Sequence, residues 1–492
     1  MKYADIRYNQ VRQKSSHNSY QRQESYTGQA LYWRLRSMEI DIHSSNNSAL
    51  WPQLMGDWYV YHASVVDQES SVNTFTDALA VLKSFHMAVP DHEVVTIWVD
   101  LKDNFVTSRD QTPESLDELI ISELGRENIW GPPDLIGSEQ NLQAAVAAYN
   151  WPSLESLQGK FIFGCTTGDL SSISSVLNQY VENGATANER LCFVAPELSS
   201  ADGIISHSYA VMFNLSSSHT ALAKDVFDAG FVSRAYGLNS ESSWNVGWDS
   251  NANHLGTNKV NVYQDEWART DLPETGYPFS GINVELGSDL TEPGHLYAIK
   301  VNSGDIWSKN DSFYFQYNNV ETSDDNTLTA FVSNQQSHVN GWIKGGIMAR
   351  SSISDSASYI AVFQTGDHKI RIQYRSRSGN STSNIDAAIP NGVNGKPIVS
   401  DNTPIWLKLD IQNSGKWGVA SYSVNGSEWL QIGQIGVDEN LVLQGWAASS
   451  HNVGEIKWLF GGSNAPEQGK AIGSKASGRF ISNSGEAASL NT

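Results

Sequence analysis

Near residue 270 the hydrophobic periodicity of this chain changes, and the change limits what it can fold into. Before it, short apolar runs alternate with amphipathic segments. Candidate strands lie at 10–16, 36–42, 58–61, 94–101, 160–164, 191–195, 209–213, 231–235 and 259–262. Between them, 74–85 reads as a helix because Phe75, Ala78, Leu79, Leu82 and Phe85 share one face. The segment 113–124 opens with Pro113 and turns Leu116, Leu119, Ile120 and Leu124 to one side, and 142–149 and 220–229 read as further helices. Parallel strands need such crossovers, so this region is expected to be an α/β domain, a barrel of the TIM (β/α) kind. The runs number one more than the barrel needs. From about 295 to 462 helical periodicity vanishes. Runs at 345–350, 359–364, 370–375, 405–411, 418–424 and 441–448 predict an antiparallel β-sandwich.

The 492 residues are therefore read as a multidomain chain, α/β then all-β. The barrel takes 1–272. Pro273, Pro278 and Pro293 mark 273–298 as a linker or irregular first strand, the sandwich takes 299–462, and a tail rich in Gly, Ser and Ala takes 463–492. The tail has few large apolar residues and is expected to be extended.

A net charge of −21 argues against nucleic acid, which needs a basic footprint, and against general adsorption to anionic membranes. Cys165 and Cys192 are too few for a disulfide framework, and the sequence does not say whether they pair. The first residues carry no apolar signal region, and no run of roughly 18 apolar residues suggests a transmembrane helix.

Within the barrel region, one stretch concentrates reactive side chains. On a strand, Met38, Ile40 and Ile42 point one way while Glu39, Asp41 and His43 point the other. His17 and His62 end candidate strands on either side, and Asp100 ends the apolar run from Val94. Crowded carboxylates need a cation or a proton. Asn18, Glu39, Asp41 and Asp100 offer oxygen donors of the kind calcium takes, and pairing with Arg36, Lys102 or Arg109 is the plainer alternative. Two imidazoles can take a proton from a nucleophile and give one to a leaving group. His86, His92, His219, His254 and His295 read as structural. No HExxH, GxSxG elbow, P-loop or suitably placed GxGxxG is present, which leaves zinc, triad and nucleotide chemistry without support.

Ser16-His17-Asn18-Ser19-Tyr20, Arg36 to Asp41, Tyr61-His62 and the acid-ended strand at 94–100 resemble the phosphoinositide-specific phospholipase C superfamily. The likeness is strongest to its calcium-dependent bacterial branch and covers roughly 8–270. It implies a Ca2+-dependent phosphodiesterase that cleaves phosphatidylinositol to diacylglycerol and a cyclic inositol phosphate. Carried over by position, it makes His17 and His62 the catalytic pair, with Glu39 assisting. Asn18, Glu39, Asp41 and Asp100 become calcium ligands, and Arg234, Tyr236 and Lys102 substrate contacts. No lysine follows Lys160 in 159–168, a departure that favours an unphosphorylated inositol ring. His43 receives no role.

Residues 304–307, 311–315, 344–350, 423–429 and 445–451 look like a concanavalin-like jelly-roll module of secreted bacterial proteins. That likeness implies a carbohydrate ligand and an extracellular location, although no export signal is visible. Trp307, Trp342 and Trp429 are expected to be core or rim packing, with sugar contact the alternative. Two rival functions stay open: cleavage of another glycerophospholipid, sphingolipid or glycan-anchored lipid, and glycan binding by a protein with an inactive barrel.

Overall fold

The structure is a computed structural model. It describes residues 6–481 except 23, 32, 34, 47–50, 64–66, 68, 261–264, 269–295, 303, 335–338, 368, 392–396, 400–403 and 463–464. The expected linker at 273–298 falls almost wholly outside the described residues. The chain divides into two compact units, 1–82 with 91–286 and 83–90 with 287–492.

The first unit contains β1 (Gln13–Ser16), β2 (Ser37–His43), β3 (Tyr59–Val60), β4 (Val95–Leu101), β5 (Phe161–Thr166), β6 (Phe193–Ala195), β7 (Met212–Leu215), β8 (Val232–Ala235) and β9 (His254–Thr257). Eight of these run parallel in two hydrogen-bonded sheets, β2-β4-β5-β6 and β7-β8-β9-β1. A parallel bridge between Glu197 and Asn214 links the end of β6 to β7. Among the described residues no ladder joins β1 to β2, so hydrogen bonding around the barrel does not close. Helices such as Phe75–Ala88, Pro113–Leu124 and Leu142–Tyr149 make the crossovers.

Two strand assignments change. The run at 58–61 is the surplus one. Only Tyr59–Val60 pairs, antiparallel to the end of β2, with Val60 opposite Ile42 and Tyr59 opposite His43. The last parallel strand is His254–Thr257 rather than 259–262, half of which lies outside the described residues. It escaped notice because it begins on a histidine. His254 is fully buried and bonds Ser37 Oγ (2.9 Å) and Tyr8 Oη (3.2 Å), which satisfies both ring nitrogens away from water.

The second unit is a sandwich of two seven-stranded antiparallel sheets. In one, Leu296–Val301, Asn326–Ser333, Ile405–Gln412, Trp417–Ser423, Leu430–Gly436, Ile456–Gly461 and Gly478–Ile481 pair. In the other, Phe313–Asn319, Lys344–Arg350, Tyr359–Thr365, Ile370–Arg375, Ser383–Asp386, Leu443–Ser449 and Gln468–Ile472 pair. Alternation puts Ile347, Val362, Ile372 and Trp446 in the main core with Ile299, Leu407, Trp458 and Phe460. The other side of the second sheet has its own cluster, including Phe313, Phe315, Met348, Tyr359 and Phe363.

Two stretches of the tail are extended and pair into the sheets. Gln468–Ile472 pairs with Phe313–Tyr317, and Gly478–Ile481 with Ala298–Val301, so each sheet gains an edge strand. Edge strands bury little side chain, and Gln468-Gly469-Lys470 therefore lacks the apolar alternation that marks inner strands. Cys165 and Cys192 are free and buried.

Candidate active site

Strand register assembles the site. Parallel pairing sets Asp41 of β2 beside Asp100 of β4, and Arg234 of β8 beside His254 of β9. The antiparallel return of β3 swings Tyr61-His62 back over the end of β2. His62 Nδ1 then meets Asp41 Oδ2 at 3.0 Å. At the end of β1, His17 N–H still bonds Thr257 O at 2.9 Å. Asn18 next turns the chain left-handed at φ 47°, a conformation asparagine tolerates better than most residues. Its N–H donates to Glu39 Oε2 at 2.6 Å, and its amide nitrogen lies 3.3 Å from His62 Nδ1.

Charges at the site are dense and mostly buried. Glu39 Oε2 also forms an ion pair with Arg234 Nη2 at 2.8 Å and stands 3.9 Å from His17 Nε2. Burial alone would raise the Glu39 carboxyl. Arg234, His17 and the Asn18 N–H override it and bring it down to about 2. Lys102 Nζ reaches Asp41 Oδ2 (3.1 Å) and Asp100 Oδ2 (2.5 Å). Asp100 is pushed up to about 7, first by burial and then by Asp41, with Lys102 opposing. The hydrogen bond to Asp41 raises His62 against the effect of its partial burial.

Every candidate from the sequence thus enters one contact network. His17 stacks on Tyr236 at 5.7 Å between ring centres, and Tyr236 donates to Glu197 Oε1 at 2.5 Å. Arg234 departs from expectation. It is fully buried, spans Glu39 and Asn214 Oδ1 (3.2 Å), and lies 5.7 Å from the Trp98 ring centre, so it holds the site rather than facing a cleft. His43 stands apart, stacked on Tyr61 at 3.8 Å with Nδ1 3.4 Å from Asp103.

Three contributors went unread in the sequence: Asn214, Glu197 and Asn258, whose Oδ1 meets His17 Nδ1 at 2.8 Å. Glu197 carried a usable signal, an acid just past an apolar strand, like Asp100. Asn258 follows the strand that was misplaced.

The donor set suits a hard cation. Among the described residues, Glu39, Asp41 and Asp100 present carboxylate oxygens that all lie within 4.8 Å of one another. Asp41 Oδ1 and Asp100 Oδ1 are buried and accept no hydrogen bond from any described residue. Lys102 neutralises one face of the pair and leaves these oxygens without a partner, which is what an oxygen-ligated ion requires. Beside Lys102 a cavity of about 410 Å³ is lined by Asp103, Asn104, Thr167, Gly168, Asp169 and Ser174, among others.

Residues 56–235 match the family model of Ca2+-dependent phosphoinositide phospholipase C. The matched family is one of calcium-dependent enzymes. The match takes in His62, Asp100, Lys102 and Arg234. His17, Asn18, Glu39, Asp41 and Tyr236 lie outside it and join these through the geometry above. A calcium-dependent phosphoinositol-specific phospholipase C from Pseudomonas sp. is 20% identical over 52% of this chain and 92% of its own, with a TM-score of 0.45. A Ca2+-dependent phosphatidylinositol-specific phospholipase C from Streptomyces antibioticus is 17% identical over 53% and 96%, with a TM-score of 0.44. No curated protein matches the chain significantly. Among the described residues no helix is long and apolar enough to cross a membrane.

Proposed function

We propose that the first unit cleaves phosphatidylinositol by intramolecular attack, with His17 and His62 as base and acid. The observation that carries the reading is the pair Asp41 and Asp100, side by side in register, each with an orphaned oxygen and with both imidazoles next to the cluster. Asn18, Glu39, Asp41 and Asp100 would hold calcium, which would supply positive charge to acidify the attacking hydroxyl and offset charge on the phosphoryl oxygens.

The protein's own groups divide the proton work. His17 Nδ1 donates to the side-chain Oδ1 of Asn258, which places the proton there and leaves Nε2 to accept one. The inositol 2-hydroxyl gives its proton to Nε2 as its oxygen bonds to phosphorus. The bond from phosphorus to the glycerol oxygen breaks, and His62, whose protonated form the hydrogen bond to Asp41 favours, gives that oxygen a proton. Diacylglycerol and a cyclic inositol phosphate result. Lys102 meets the phosphate, Tyr236 faces the ring, and Arg234 positions Glu39.

The cavity beside Lys102 supports an unphosphorylated ring. Asp103 and Asp169 line it, and an added ring phosphate there would meet acids. Lys160 bonds Glu127 O at the opposite end of β5 and is not available to such a phosphate.

Release of cyclic inositol phosphate from phosphatidylinositol vesicles tests the proposal. Chelation is expected to abolish it, and His62→Ala to lower it about 10²–10⁴-fold. Turnover that survives both would overturn the mechanism. A headgroup without a neighbouring hydroxyl should not be cleaved.

A further inference from the structure

Glu197 touches the site but has no part in the chemistry above. It stands just past β6, and its backbone is held from two directions. Its N–H donates to Gly168 O at 2.7 Å, on the loop after β5 that lines the cavity beside Lys102. Asn214 N–H donates to Pro196 O at 3.0 Å and Leu198 N–H to Asn214 O at 3.2 Å, which makes the parallel bridge between Glu197 and Asn214. The segment 196–198 is therefore pinned to the sheets, and a side chain carried there has a fixed base.

From that base the carboxylate reaches the His17 side of the site. Tyr236 Oη donates to Glu197 Oε1 at 2.5 Å, and a carboxylate acceptor makes such a bond stronger than one between neutral groups. Burial first, and then Glu197, push the Tyr236 hydroxyl up, so the phenol keeps the proton it donates. Tyr236 N–H bonds Leu215 O at 2.9 Å, which fixes the backbone, and Glu197 fixes the far end of the side chain. The ring held between these two points lies nearly parallel to His17, with 17° between planes and 5.7 Å between centres. Asn258 meets His17 Nδ1 at 2.8 Å. One hydrogen bond sets the tautomer but lets an imidazole tilt about it, and a flat neighbour along its face removes that tilt.

We infer that Glu197 is a positioning residue: through Tyr236 it holds the His17 imidazole at the angle from which Nε2 meets the attacking hydroxyl. The inference rests on the reading of His17 as the base. The same bridge brings Asn214 Oδ1 to Arg234 at 3.2 Å, and Arg234 pairs with Glu39 at 2.8 Å. One backbone link between β6 and β7 thus supports both Tyr236 against the His17 face and Glu39 near its Nε2.

Turnover of phosphatidylinositol vesicles by the full chain tests it. Glu197→Ala is expected to lower kcat by about tenfold or more with KM within about twofold, because orientation is lost and binding is not. Glu197→Gln keeps an acceptor for Tyr236 Oη and should recover most of the loss. Tyr236→Phe removes only a hydroxyl, so it keeps the test open if Glu197→Ala fails to fold. It should cost as much as Glu197→Ala, and the double variant no more than either, because all three cut one bond. The ring-proton resonances of His17 in the metal-free protein, assigned with His17→Gln, report the same contact without turnover. They should shift in Glu197→Ala and Tyr236→Phe and hold in Glu197→Gln. Unmoved His17 resonances in Glu197→Ala, additive losses in the double variant, or a raised KM at unchanged kcat would overturn the inference. So would a Glu197→Gln enzyme as impaired as Glu197→Ala. A wild-type protein without turnover whose His17 resonances still respond as expected would strike the phosphodiesterase reading and support the hold of Glu197 on His17.

Discussion

Asp41 and Asp311 are both fully buried carboxylates beside cations, but they end differently. Asp311 is saturated. Its Oδ2 accepts from Arg350 and Arg375 at 2.8 Å each, and its Oδ1 from Arg375 at 2.8 Å. The two guanidiniums spend their other donors on backbone oxygens of Ser308, Ser352, Ala357 and Asn380. Asp41 shares Lys102 with Asp100, and both acids keep an oxygen that accepts nothing from the described residues. Burial therefore does not separate structure from function here. The leftover oxygens of Asp41 and Asp100 are what sets them apart from Asp311, because the desolvation of a buried carboxylate oxygen is relieved when a cation meets it.

The largest expected effect lies on the saturated side. Asp311→Ala would strand two buried guanidiniums and should destabilise the sandwich by about 3–5 kcal/mol. Hydrogen exchange along Lys344–Arg350 and Ile370–Arg375 would report it as faster opening. A change under about 1 kcal/mol would erase the contrast with Asp41.

Calcium gives the next largest effect, on the unsaturated side. At about one hundred times its Kd it should stabilise the first unit by about 2.7 kcal/mol, measured as protection of β2 and β4 in hydrogen exchange. Asp100→Asn removes one of two opposed acids, so metal-free stability should move by less than about 1 kcal/mol while the calcium response disappears. If Asp100→Asn instead behaves like Asp311→Ala, the cluster is a clamp and not a cation site.

The same contrast governs what could be read from sequence. Alternation in 38–43 placed Glu39 and Asp41 on one face without ambiguity, since register flips every side chain together. Asp100 was legible because an acid terminated an otherwise apolar strand. Arg234 was found, but its burial was not, because only the packing of Glu39, Asn214 and Trp98 around it decides that. Asn258 and the strand before it were missed because His254-Leu-Gly-Thr has no strong period. In the sandwich the inner strands announced themselves, whereas Gln468–Ile472 and Gly478–Ile481 pair at the edges and send little besides Ile472 and Phe480 into the packed clusters. The exposure of Trp307 and Trp342 was out of reach, since exposed and buried indoles look alike in a sequence.

A last comparison sets His254 against His62. Asp41 raises the half-exposed His62. Burial, and then Arg234, push His254 from 6.5 down to about 3. Folding therefore keeps His254 neutral where the unfolded chain would protonate it. Its stabilisation is complete above pH 6.5 and is lost progressively as pH falls toward about 3, because the unfolded state binds the extra proton. Between about pH 6 and about pH 4.5 the loss from this one group should be about 2 kcal/mol. His254→Gln keeps polar atoms for Ser37 and Tyr8 but cannot take up the proton. Its urea-unfolding free energy should fall less steeply with acid than that of the wild type, by that amount. Carboxylates elsewhere affect both proteins equally and cancel in the difference. Equal slopes would mean that His254 already carries a proton in the folded state, and that the layer beneath Arg234 is more polar than its hydrogen bonds imply.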